Sequence, residues 1–192
     1  ANSFYAMLDR HMAALDAGGA TVVMTADHGM NAKHGEDGLP NVIYLQDHLD
    51  NWALADTTRV ILPITDPYVV HHGALGSFAT VYVEDGADCA DVAAKLSALT
   101  GVESVLSREE AAGRFELPPE RLGDLVVVSL RHHVLGTRAS EHDLSGLEVP
   151  LRSHGGVSEQ RVPLILNKPI QNLPNRDSLR NFDAFALALN HT

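Results

Sequence analysis

The segment T-A-D-H-G-M, residues 25–30, sets a carboxylate, Asp27, beside an imidazole, His28, and follows them with Gly29. A carboxylate oxygen and a neutral imidazole nitrogen both suit zinc and other divalent transition metals, and a glycine lets the backbone come close. A second segment, R-S-H-G-G at 152–156, carries His154 on a glycine-rich loop shortly before the apolar run R-V-P-L-I-L-N. Asp27, His28 and His154 are therefore the candidate metal ligands. Taken singly, each segment also reads as a polar glycine turn with an outward histidine, and on the residues alone that reading stays open.

Other groups offer weaker chemistry. The chain has 11 histidines, several in clusters: His71-His72, His132-His133 and E-H-D at 141–143. Neighbouring strand side chains point to opposite faces and cannot chelate one metal unaided, so no role is assigned to them. Lys33 and His34 are possible contacts for an anionic substrate, with a solvated loop the simpler expectation, and Arg131, Arg138 and Arg152 are similar. No G-x-S-x-G elbow, Walker loop, G-x-G-x-x-G, H-E-x-x-H or C-x-x-C motif is present. Cys89 sits among acidic residues, which raises a thiol pKa and makes a poor nucleophile.

The elements that must position these groups follow from periodicity. Phe4, Met7, Leu8, His11, Met12 and Leu15 recur at helical spacing behind a cap at Asn2 or Ser3, and Gly18-Gly19 stops the helix. Ala20 to Thr25 is an unalternated apolar run, which suits a strand covered on both faces of a parallel sheet and ends just before Asp27. Open parallel sheets gather ligands at that strand end. Asn41 to Leu45 reads as a strand, and Gln46 to Asp56 as a helix or an irregular connection.

From Arg59 the pattern changes to two strands (R-V-I-L-P-I-T-D-P-Y-V-V-H-H and S-F-A-T-V-Y-V), a helix, a third strand (V-E-S-V-L-S) and a helix (R-E-E-A-A-G-R-F). Leu125 to Leu130 and R-V-P-L-I-L-N are further strands, and Asn175 or Asp177 caps a C-terminal helix carrying Leu179, Phe182, Phe185 and Leu189. The assembly expected is an α/β core from residues 1–58 and 123–192, with a mostly parallel sheet flanked by helices. A small α+β cap lobe is inserted at 59–122. If the last strand runs parallel to the first, His154 falls at the wrong sheet end; an antiparallel strand or a crossing loop removes that obstacle.

Composition narrows the function. The net charge of −11, from 14 basic and 25 acidic residues, opposes nucleic acid and anionic membrane surfaces. No apolar stretch reaches the ~20 residues of a membrane span, and no signal peptide is visible. A single cysteine fits a reducing compartment, with cytoplasm the default.

Taken together, V-V-M-T-A-D-H-G-M-N-A-K-H, P-N-V-I-Y-L-Q-D and L-R-S-H-G-G-V-S-E-Q-R-V-P-L-I-L-N-K-P resemble the phosphonoacetate hydrolases of the alkaline phosphatase superfamily, over most of the chain. The resemblance implies an alkaline-phosphatase-like fold and two zinc ions, with Asp27 and His28 on one metal and His154 on the other. Manganese, cobalt and iron remain compatible with such donors. It further implies hydrolysis of the carbon–phosphorus bond of phosphonoacetate to acetate and phosphate by a threonine nucleophile, in two steps through a phosphothreonine. The family's threonine, a further aspartate and an Asp-x-x-x-His pair cannot be placed in this chain. It therefore reads as the C-terminal portion of such an enzyme, inactive alone. The expected partners are a small phosphonate, the N-terminal remainder of the enzyme and a second copy in a homodimer. Phosphodiesterase, nucleotide pyrophosphatase or phosphomutase activity, or a metal-binding fragment without activity, are the competing readings.

Overall fold

The computed structural model describes residues 2–63, 74–172 and 179–192. His71-His72, the end of the strand expected from Arg59, and the expected caps Asn175 and Asp177 lie outside them. The chain divides into two compact units, one made of Ala1–Gly29 and Arg161–Thr192, the other of Met30–Gln160.

The first unit opens with helix α1 (Asn2–Ala17). Its end is a Schellman turn, with the Ala20 N–H donating to the Leu15 carbonyl and the Gly19 N–H to that of Asp16. Gly19 takes φ +85°, the left-handed position that such an ending requires. Strand β1 (Val23–Thr25) follows.

The second unit supplies the next elements. They are β2 (Asn31–Ala32), β3 (Val42–Tyr44), helix α2 (Leu45–Asn51), β4 (Thr58–Ile61) and β5 (Phe78–Val83). Helix α3 (Cys89–Ser97), β6 (Val102–Ser107), helix α4 (Arg108–Phe115), β7 (Leu125–Ser129), β8 (Val134–Gly136) and β9 (Arg152–Ser153) complete it. The chain then returns to the first unit with β10 (Leu164–Leu166) and helix α5 (Ala184–Asn190). The C-terminal helix thus begins well after the expected caps, behind a short 3-10 turn at Asn181–Asp183.

In the second unit, β4, β5, β7 and β6 form one antiparallel sheet in that order. Leu125 and Val127 of β7 join a cluster with Val92 and Leu96 of α3 and with Leu45, Leu49 and Leu135. Val126 and Val128 join a second cluster with Ala111 of α4, packed by Phe78 and Phe115. Both faces of β7 are therefore covered, which is why its sequence is an unbroken apolar run. Helix α3 starts where the Asp88 carboxylate accepts from the Ala90 N–H, and α4 where Ser107 and Glu110 form a capping box.

One expectation changes here. Among the described pairs only β3 with β8 is parallel, so these strands do not form a mostly parallel sheet. An unbroken apolar run reports burial on two faces, and β7 shows that antiparallel strands can be buried so as well. β7, just after residue 122, pairs with β5 and β6, two strands of the expected lobe.

Candidate functional site

Asp27 and His28 lie on the turn that leaves β1. The Asn181 side-chain amide donates to the Ala26 carbonyl at 3.2 Å, anchoring that turn within its own unit. The His28 N–H donates to Asp27 Oδ1 at 3.0 Å. His28 Nδ1 lies 2.8 Å from the Gly29 carbonyl. A carbonyl only accepts, so Nδ1 is the donor in this contact. Nε2 lies 3.7 Å from Asp27 Oδ2, with the side chains 38% and 87% exposed respectively. β10 runs antiparallel to β1 and pairs Leu164 with Thr25, so β10 begins at the strand end from which the chain leaves toward Asp27.

His154 belongs to the second unit and follows β9, which pairs antiparallel with β2 through Asn31 and Ser153. Its loop is held by main-chain contacts. The Ser77 N–H donates to the His154 carbonyl at 2.8 Å, and Ser153 Oγ donates to the Leu75 carbonyl at 2.5 Å. Both glycines after His154 are needed for this path. Gly155 takes φ +103°, and a Cβ on Gly156 would come within 3.0 Å of Ser77 Cβ and 2.8 Å of Glu159 Oε2. Asp27 and His28 are thus brought together and His154 sits in the other unit; no group of three histidine, cysteine or acidic residues suited to a metal occurs among the described residues.

Lys33 departs most from expectation. Instead of lying on a solvated loop, its side chain is fully buried and paired at 3.0 Å with Glu159, whose side chain is 1% exposed. Burial pushes the Lys33 ammonium below its ordinary value, opposed by Glu159. Burial alone would raise the Glu159 carboxyl, but hydrogen bonds from Asn31, Ser158, Lys33 and the Gly156 N–H outweigh it and hold the group low. The two residues are 126 positions apart, and the local sequence around each is polar, so no periodic signal announces the pair.

The arginines and several of the clustered histidines have structural partners. Arg138 Nε donates to Asp50 Oδ2 at 2.8 Å and Nη1 to Glu141 Oε1 at 3.1 Å, which occupies it with carboxylates. Arg131 Nε donates to Asn31 Oδ1, and Arg152 Nη2 to the Met30 carbonyl. His142 is buried, with Nε2 accepting from the Thr137 N–H at 3.0 Å. His132 Nδ1 faces the Ala32 carbonyl and His34 Nδ1 the Gly35 carbonyl. Burial, with Asp124 and Asp88 nearby, raises the Cys89 thiol, in keeping with an inert cysteine.

Residues 5–156 match the model of the type I phosphodiesterase / nucleotide pyrophosphatase family, and the chain belongs to that family. Within it, the chain is similar to phosphonoacetate hydrolase from Sinorhizobium meliloti 1021. Crystal structures of that protein in complex with phosphonoformate and with phosphonoacetate each give 60% identity and a TM-score of 0.90, covering 97% of this chain and 45% of that chain. A stretch of 41 residues is 61% identical to phosphonoacetate hydrolase of Penicillium oxalicum, covering 20% of this chain and 57% of that protein. The human ectonucleotide pyrophosphatase / phosphodiesterase 5, at 17% identity and a TM-score of 0.50 over 79% of this chain and 34% of that one, shares the fold alone. These neighbours give the chain an alkaline-phosphatase-like α/β fold. The chain spans less than half the length of the solved phosphonoacetate hydrolase.

The donor set after β1 fits a divalent metal. Bonds of about 2.0–2.2 Å at a tetrahedral angle place two donor atoms about 3.4 Å apart, close to the 3.7 Å between Asp27 Oδ2 and His28 Nε2. The Nδ1–H to carbonyl bond is the outer contact by which metal-binding histidines are usually oriented.

Proposed function

We propose that this chain is the C-terminal portion of a zinc-dependent phosphonoacetate hydrolase, which adds water across the carbon–phosphorus bond and releases acetate and phosphate. The observation that carries the reading is 60% identity over 97% of this chain with a solved phosphonoacetate hydrolase whose crystals hold phosphonoacetate. The intact T-A-D-H-G-M and R-S-H-G-G segments support it.

In this reading Asp27 and His28 hold one zinc and His154 the other, with manganese, cobalt or iron compatible with the same donors. The bound metals supply positive charge for the phosphonyl oxygens and a water of lowered pKa. Asp27 contributes anionic charge, and His28 presents Nε2 in a tautomer fixed by the Gly29 carbonyl. The threonine nucleophile and the other ligands belong to the N-terminal remainder of the enzyme, so this chain alone is inactive. Exposed apolar side chains on α1 and α5, among them Phe4, Tyr5, Leu15, Phe185 and Leu189, support packing against such a remainder. Residues 59–122 act as a cap that shapes substrate choice. The complete enzyme is a homodimer in the cytoplasm, a location supported by the single cysteine. No helix of the described residues is long and apolar enough to cross a membrane.

The family description favours a second reading, in which the same ligands serve a phosphodiester or nucleotide pyrophosphate substrate. Phosphate release from phosphonoacetate and hydrolysis of a nitrophenyl phosphodiester, measured on the full-length enzyme, separate the two. We expect phosphonoacetate to have the higher kcat/KM; faster turnover of the diester overturns the reading.

A further inference from the structure

A buried ion pair is an unusual thing for a fold to keep. Desolvating the two charges costs several kcal/mol per ion, and well-packed apolar residues of similar volume are often as stable or more so. The Lys33–Glu159 pair meets that cost only because its hydrogen bonds are complete. The ammonium donates to Ser77 Oγ at 2.6 Å, to the Arg131 carbonyl at 2.8 Å and to Glu159 Oε1 at 3.0 Å, using all three protons. Glu159 Oε1 also accepts from the Asn31 amide and from Ser158 Oγ, and Oε2 accepts from the Gly156 N–H at 2.7 Å.

Those partners converge on one stretch of main chain. Ser77, whose Oγ accepts a hydrogen bond from the Lys33 ammonium, donates its own N–H to the His154 carbonyl and its hydroxyl to the His133 carbonyl. Glu159 holds the N–H of Gly156, two residues further on. A ring therefore runs from Lys33 to Ser77, to the His154 carbonyl, through Gly155 to the Gly156 N–H, to Glu159 and back to Lys33. Only Gly155 stands between the two fixed main-chain groups, and its positive φ sets the bend.

We propose that Lys33 and Glu159 are positioning residues: their buried pair fixes the main chain directly after the His154 side chain, at its own carbonyl and at the Gly156 N–H, and so sets the aim of its imidazole. The role rests on the reading of His154 as a metal ligand. It explains why charge is kept where packing alone would suffice, since a loop with two consecutive glycines has little conformational preference of its own.

The test compares the full-length wild type with three variants: Lys33→Met/Glu159→Leu, which removes both charges at similar volume; Leu96→Ala, a core truncation in α3; and His154→Ala. Each is stripped of metal and titrated with zinc against a chromophoric chelator, and hydrogen exchange of residues 153–157 is read on the metal-free protein. The double variant is expected to exchange that segment at least ~10-fold faster and to bind zinc about 10–100-fold more weakly. If it does not fold, Glu159→Gln takes its place. Leu96→Ala is expected to lower Tm while leaving both readouts at wild-type values, which separates positioning from general stability. Wild-type zinc affinity or unchanged exchange in the double variant overturns the proposal when His154→Ala binds zinc weakly. Wild-type zinc affinity in His154→Ala overturns the ligand reading itself, and with it the purpose of the clamp.

Discussion

The two units differ in how they bury apolar surface. The unit at 30–160 covers both faces of a four-stranded sheet and holds every fully buried hydrophobic side chain among the described residues except Leu187. The unit made of residues 1–29 and 161–192 is held instead by a two-stranded pair and by polar ties. Asn167 is the main tie, accepting from the Val22 N–H and donating to the Ala20 carbonyl and Asp16. Phe4, Tyr5, Phe182, Phe185 and Leu189 of this unit are exposed. One region is stabilised by its own core, and the other presents Asp27 and His28 on elements whose apolar faces are largely uncovered.

One substitution made in both regions measures this contrast. Leu96→Ala, at a site with no exposure, should cost about 2–5 kcal/mol. Leu189→Ala, at 81% exposure, should stay within about 0.5 kcal/mol. Urea unfolding of this chain reads both. Equal costs would break the comparison, and a larger cost for Leu189→Ala in the full-length enzyme than in this chain would sharpen it.

A smaller effect is expected at Gly123, where an added Cβ would come within 2.5 Å of the Val81 carbonyl oxygen. Gly123→Ala should cost about 1–3 kcal/mol through overpacking, read as a shift in the urea midpoint. The same change at Gly19, around which nothing lies within 4 Å, is strained only by its positive φ.

The smallest effect concerns pH. The hydrogen bond from Arg138 holds the Asp50 carboxyl below its ordinary value near 3.8, with burial opposing. A lowered carboxyl contributes stability above its unfolded pKa, and that contribution is lost as pH falls through the folded value. Both side chains are partly exposed, so the pair is worth about 1 kcal/mol or less. Asp50→Asn should therefore flatten the acid limb of the stability profile below about pH 4 and leave its slope at neutral pH unchanged. Thermal melts across that range check it.

Much of the second unit is legible in the sequence, because its helices and long strands carry periodic apolar positions. α3 displays Val92 and Leu96 to the core, and α4 covers the R-E-E-A-A-G-R-F segment read as a helix. The two-residue strands β2 and β9 are too short to leave a period, yet they carry the His154 loop. Strand direction was not legible either: the run at Leu125–Ser129 records cover on both faces and nothing about orientation. The candidate ligands were visible as motifs, whereas the Lys33–Glu159 pair was not, since partners 126 residues apart meet only through the fold.

Above all, Asp27, His28 and His154 are proposed as zinc ligands of a phosphonoacetate hydrolase. Anomalous scattering at the zinc edge, from crystals of the full-length enzyme grown with zinc, tests it most directly. Two peaks are expected, one bonded to Asp27 and His28 Nε2 and the other to His154. Peaks with none of these three residues as ligands would contradict it.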